Sequence, residues 1–93
     1  MNLDPILFAS PMYETANEAV LFCKDFLQKT GHTQFAEQLA GFTPVSHRTV
    51  AVVVHNLLKG MQPRVTGEAA EYVAIALNTV ARALGSHAIR AVA

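Results

Sequence analysis

The feature that most constrains this chain is a run of five apolar residues, from Val50 to Val54, in a sequence of only 93 residues. Neither a helix nor a strand can turn all five side chains away from water by itself. The whole chain is 52% hydrophobic and 15% charged, whereas a domain of this length buries only about 60–65% of the surface that its unfolded chain exposes. We therefore expect one domain whose remaining apolar surface contacts another chain, most simply a second copy.

Capping and turn residues divide the chain into helices. Thr15 and Glu18 have the spacing of a capping box, Gly31 and Gly41 can end the first two helices, and Pro44 suits the first turn of the third. The sequence predicts an all-α, single small domain of four to five helices, a helical bundle with an apolar N-terminal arm that shares its core in an oligomer. Its predicted parts within 1–93 are a packed arm (1–12), a helical hairpin (13–41) and two longer apolar helices (43–93). The helices are expected at 15–30, 33–40, 44–59 and from 66 to about 84, with a possible break at 85–86 before a final turn or two.

The valine run leaves one alternative open. Valine favours strands, so the segment from Val50 to Val54 could be a buried strand. The capped start at Thr43-Pro44, the continuation through Leu57 and Leu58 and the stop at Gly60 favour a helix instead.

The charge is balanced overall but unevenly distributed. Residues 1–42 carry five acidic and two basic residues, a net charge of −3, and residues 43–93 carry the reverse, +3. Neutrality gives no indication of nucleic acid or of an acidic substrate. The asymmetry is compatible with head-to-tail or crossed pairing of subunits, or with a basic site in the second half.

The single cysteine, Cys23, shares an apolar stripe with Val20 and Leu27, so we expect a buried, unreactive thiol and no intramolecular disulfide. The N-terminal segment lacks the basic start of a signal peptide, and Asp4 and Pro5 interrupt its apolar residues. No apolar run reaches the roughly 18–20 residues that a bilayer requires. We therefore expect a cytoplasmic protein with no membrane partner.

A second pattern lies in residues 18–39. An aromatic–leucine pair ends one helix, a glycine turns the chain, and a small residue and a leucine lie in the next helix: Phe26, Leu27, Gly31, Ala36 and Leu39. This spacing resembles the LisH motif, a short helix-turn-helix that homodimerises through its first helix. His32 stands where the family has an aromatic residue. An ordinary αα-hairpin is the alternative explanation.

A third pattern is similar to a DNA-binding helix-turn-helix. Ser46, His47 and Arg48 occupy the expected start of the third helix, where such side chains can donate to base edges. The turn from Gly41 to Pro44 is longer than is usual, and the helix beyond Thr49 is nearly all apolar, so a capped core helix is the favoured interpretation.

No pattern indicates catalysis or a metal. His47 and His55 are eight residues apart rather than four, and His32 and His87 have no ligand nearby in sequence, so no metal site is expected. The chain has no glycine-rich phosphate loop and no carboxylate pair that capping does not explain. We therefore expect no cofactor and no enzymatic activity.

Together these patterns favour a non-catalytic regulatory or adaptor protein that acts through protein–protein contact as a homodimer or higher homo-oligomer. The alternative is a small helix-turn-helix DNA-binding regulator, of phage or plasmid type, using Ser46, His47 and Arg48. The apolar residues expected at the interface are Val52, Val53, Ile75, Val20 and Phe22.

Overall fold

The computed structural model describes the backbone of Phe8 and of residues 10–92, and the side chains of these residues as far as Gly85. This part contains four helices: α1 (Pro11–Lys29), α2 (Thr33–Ala40), α3 (Arg48–Met61) and α4 (Gly67–Val92), with a 3₁₀ turn at Gln62–Arg64 before α4. No strand occurs among these residues. The predicted all-α single domain is confirmed, and the valine run is helical.

Helix α1 begins four residues earlier than the capping-box pattern predicted. Ser10 is extended, and its carbonyl accepts from the Tyr13 and Glu14 amides at 3.1 and 3.3 Å. Pro11 at the first helical position costs no hydrogen bond there, because that amide has no partner inside the helix. Thr15 is therefore an interior residue whose hydroxyl donates to the Pro11 carbonyl at 3.1 Å. The capping-box prediction is wrong.

The predicted N-terminal arm (1–12) is shortened by the same change, because Pro11 and Met12 belong to α1. Phe8 packs against the core, as was expected of the arm. Residues 1–7 and 9 lie outside the described part.

The turn between α1 and α2 is the left-handed glycine turn that was predicted. Gly31 has a φ of 89°. The His32 amide donates to the Leu27 carbonyl at 2.8 Å, and the Gly31 amide to the Gln28 carbonyl at 3.5 Å. These two bonds form a Schellman motif, which satisfies carbonyls at the helix end. Helix α2 then has the predicted bounds, with Ala36 fully buried where it meets α1.

We expect Gly31→Val to lower the free energy of unfolding by more than about 1 kcal/mol, because a β-branched residue is strained at positive φ. Gly60→Ala is the matched control. Gly60 lies inside α3 with open space around the added methyl. The substitution should therefore raise the free energy of unfolding by about 0.5–1 kcal/mol. Urea unfolding of both variants measures the difference. An unchanged midpoint for Gly31→Val would contradict the turn.

The segment between α2 and α3 is held to α1 by one buried hydrogen bond. The Val45 amide donates to Asn17 Oδ1 at 2.8 Å, and Val45 is fully buried. The helix was predicted to start at Pro44, but it starts at Arg48. The prediction failed because Val45 is held against α1 by this buried bond, and the helix begins only after it.

Helix α4 is continuous to Val92, so the expected break at Gly85-Ser86 is absent. An interior glycine lowers helix stability by only about 0.5–1 kcal/mol relative to alanine. A long, hydrogen-bonded helix therefore tolerates one.

The core lies between α1 and the other helices. Helix α1 packs most extensively on α4 and α2, and α3 packs on α4. The predicted α1 stripe of Val20, Cys23 and Leu27 is fully buried. From α3 and α4 the core receives Ala51, Val54, Leu58, Met61, Val73, Ala76, Val80 and Ala83.

Candidate interaction surface

Helices α1 and α4 run antiparallel, and contacts at two levels define their register. At one end, Phe26 of α1 stacks on Tyr72 of α4 with ring centroids 4.4 Å apart and planes 15° from parallel. At the other end, Pro11, Met12 and Thr15 line one depression together with Thr79 and Arg82. Low residue numbers of α1 therefore lie beside high residue numbers of α4.

The two most exposed large apolar side chains flank this seam. Phe22 is 67% exposed and Ile75 is 58% exposed. Phe22 precedes Phe26 by one turn, and Ile75 follows Tyr72 by about one turn, so the antiparallel register places Phe22 and Ile75 at the same level. We call Phe22, Phe26, Tyr72 and Ile75 the aromatic seam. Its four apolar side chains come from two helices.

Charged side chains surround the aromatic seam. On α4 the exposed residues at helical spacing around Ile75 are Glu68, Glu71, Asn78 and Arg82. On α1, Glu18 and Asp25 are exposed on either side of Phe22. An apolar centre with a polar rim is the usual composition of a protein–protein interface.

The five predicted interface residues differ in exposure and lie on different helices. Phe22 and Ile75 belong to the aromatic seam. Val52 lies on α3 and is 38% exposed, and Val53 beside it is half-buried. The prediction that Val20 lies at the interface is wrong. Its side chain is fully buried in the chain's own core, so it is not available to a second chain. The helical period of α1 turns Val20 about 160° away from Phe22, which is why the two cannot share a surface.

The residues predicted to contact DNA do not share a helix. Ser46 and His47 precede α3, and only Arg48 lies in its first turn, where it is exposed. The connection from Ala40 to Arg48 is seven residues long, compared with three to four residues in a DNA-binding helix-turn-helix. The exposed side chains of α3 are Arg48, Thr49, Val52, Asn56 and Lys59, so Arg48 is the one of the three predicted DNA contacts that belongs to the exposed side of this helix.

Because of this placement, we expect no retarded band in a mobility-shift assay with mixed genomic fragments at about 50 mM salt, a condition that favours even non-specific complexes. If a band appears, Arg48→Ala decides its origin. Loss of about 1–3 kcal/mol of binding in that variant, with an unchanged melting temperature, would support the DNA-binding alternative over protein association.

In the part of the chain that the structure describes, the remaining chemistry-bearing side chains are not grouped into a reactive cluster. Burial raises the pKa of the Cys23 thiol from 9.0 to about 11, which keeps it protonated at neutral pH and therefore a poor nucleophile. His32 contacts the Thr30 hydroxyl at 3.1 Å and stacks on Phe35. Among the described residues, no three His, Cys, Asp or Glu side chains are placed to hold a metal ion.

We expect Cys23 in the folded protein to resist a thiol reagent such as dithionitrobenzoate at pH 8, because the thiol is both buried and protonated. Addition of urea above the unfolding midpoint should release one thiol per chain. The exposed position of Val52 supplies a control, since Val52→Cys should add one thiol that reacts immediately. Rapid labelling of the unsubstituted chain under native conditions is the contrary result.

Comparison of the chain with models of known protein families, with curated proteins and with solved structures finds no match. Within the described part of the chain, no helix has the combined length and apolar character needed to span a bilayer.

The sequence predicted Phe22 and Ile75 as apolar residues available to a partner. It did not indicate that Phe26 and Tyr72 stack on each other beside them. Phe22 and Phe26 form one stripe in the sequence, and Ile75 stands out on a polar stripe of α4. The sequence alone does not show that the two stripes lie side by side, because that depends on the register of α1 against α4.

Proposed function

We propose that this protein is a non-catalytic regulatory or adaptor protein that works through protein–protein contact and associates with itself through the aromatic seam. The observation that carries the proposal is the exposure of Phe22 and Ile75 at one level of one face, beside the stacked rings of Phe26 and Tyr72.

Burial of apolar surface at this face contributes to association. Fully burying an exposed phenylalanine or isoleucine side chain contributes about 1.5–3 kcal/mol, and Phe22 and Ile75 are 67% and 58% exposed. A symmetric pair would bury both residues from both chains and so gain about 4–7 kcal/mol. The loss of translational and rotational freedom costs about 4–15 kcal/mol, so contacts of the surrounding residues must add to this gain.

The sequence adds independent support for the same helix. The LisH motif, which residues 18–39 resemble, homodimerises through its first helix, and α1 is the first helix here. This resemblance favours association through α1 rather than through α3, where the valine run lies.

Sedimentation equilibrium tests the proposal. At low micromolar concentration the chain of 10.0 kDa should sediment as a dimer or a larger assembly. Phe22→Glu and Ile75→Glu should each weaken association at least a hundredfold, because each places a carboxylate in the buried centre of the interface. Both positions are exposed helix positions, so the melting temperature of the monomer should change little.

Val52→Glu is the matched control, since it introduces the same charge on an exposed apolar position of α3. It should leave the assembly intact. A monomeric parent protein would overturn the proposal. Dissociation by Val52→Glu but not by Phe22→Glu would instead move the interface to α3.

A further inference from the structure

We infer that the partner of the aromatic seam is a second copy of this chain related by a two-fold axis perpendicular to α1 and α4, crossing them at Phe22 and Ile75. In this arrangement α4 lies antiparallel on the partner's α4, and Glu68 pairs with the partner's Arg82. The inference rests on the proposed self-association and specifies its geometry.

The first argument is the charge pattern along α4. Glu68 is seven residues before Ile75, and Arg82 is seven residues after it. Seven residues are about two turns, or about 10.5 Å, so all three side chains lie on one stripe. All three are exposed. The stripe therefore has an acidic end, an apolar centre and a basic end at equal spacing.

Such a stripe is complementary to its own reversed copy. A two-fold axis at Ile75 exchanges the two ends, so each acidic end meets a basic end and Ile75 meets its own copy. A two-fold interface must be self-complementary in this sense. Within one chain the two charged residues are fourteen positions apart, about 21 Å along the helix, so they cannot pair with each other.

Helix α1 meets its own copy about the same axis. Phe22 is level with Ile75, and the axis brings it onto its own copy. Two turns away on either side are Thr15 and Lys29, which therefore face each other across the axis. Glu14, exposed beside Thr15, adds a favourable partner for Lys29. Closer to the axis, Glu18 and Asp25, which line one depression with Phe22, approach each other across the axis as like charges. The Lys24 ammonium, 3.4 Å from the Asp25 carboxylate, offsets part of this repulsion.

The other two-fold arrangement of the same face places α1 on the partner's α4. Asp25 is next to Phe26, and Glu71 is next to Tyr72, so the stacking of those rings puts the two carboxylates at one level. Both are exposed. This arrangement would bring Asp25 against the partner's Glu71 twice, and like charges across an interface oppose association. Because each arrangement contains one kind of like-charge contact, the self-complementary stripe of Glu68, Ile75 and Arg82 on α4 selects the first.

Charge reversal tests the pairing. Glu68→Arg alone and Arg82→Glu alone should each raise the dimer dissociation constant about tenfold, because each creates two like-charge contacts in the symmetric dimer. An equimolar mixture of the two variants should form a heterodimer with parental affinity, since both contacts are again between opposite charges. Melting curves of each variant control for the loss of Glu68 from the first turn of α4, where it favours the helix dipole.

Cysteine cross-linking tests the axis. With copper-phenanthroline and oxygen as the oxidant, Ile75→Cys should form a disulfide with its own copy, as should Phe22→Cys. Cys23 can be retained because it is fully buried. Val52→Cys, exposed on α3, is the control and should remain largely uncross-linked.

The outcomes separate this inference from the proposed function. A monomeric parent protein would overturn both. A dimer that is sensitive to Phe22→Glu, but whose charge variants show no heterodimer preference, would overturn only the two-fold geometry. A disulfide that forms mainly between Phe22→Cys and Ile75→Cys chains in a mixture would support the arrangement of α1 on the partner's α4 instead.

Discussion

The antiparallel packing of α1 on α4 is the interaction on which the rest of the structure depends. Helix α2 is attached to α1 by the Schellman turn at Gly31, and α3 is attached to α4 through the 3₁₀ turn. Both connections are short, so the positions of α2 and α3 follow from the α1–α4 pair. The buried bond from Val45 to Asn17 then holds the longer connection between α2 and α3 against α1.

The same packing accounts for the exposed apolar surface. A helix in a two-layer arrangement buries one side, and in α1 that side already contains Val20, Cys23 and Leu27. Phe22 lies on the opposite side, where none of the described elements covers it. Ile75 is in the same position on α4. The pair of helices therefore has a complete core and a second apolar surface beyond it.

Local features of this fold were predictable from the sequence, and features that depend on neighbours were not. The Gly31 turn was found because a Schellman motif is specified within six residues. The start of α1 was missed because Thr15 and Glu18 offered a competing capping pattern, although Ser10 and Pro11 also carry a helix-start signal. Helix α3 starts late because Val45 is buried and bonded to Asn17 of α1, and no local signal indicates that long-range contact.

The candidate surface follows the same rule. Sequence periodicity assigns a residue to a helix face, but the neighbouring helix decides whether that face is core or surface. Val20 and Phe22 were both selected as apolar residues of α1, yet one is fully buried and the other mostly exposed. Their difference is set by the direction from which α4 approaches α1. Once Phe26 and Tyr72 fix that direction, the two most exposed large apolar side chains of these helices, Phe22 and Ile75, lie at the same level beside the stacked rings.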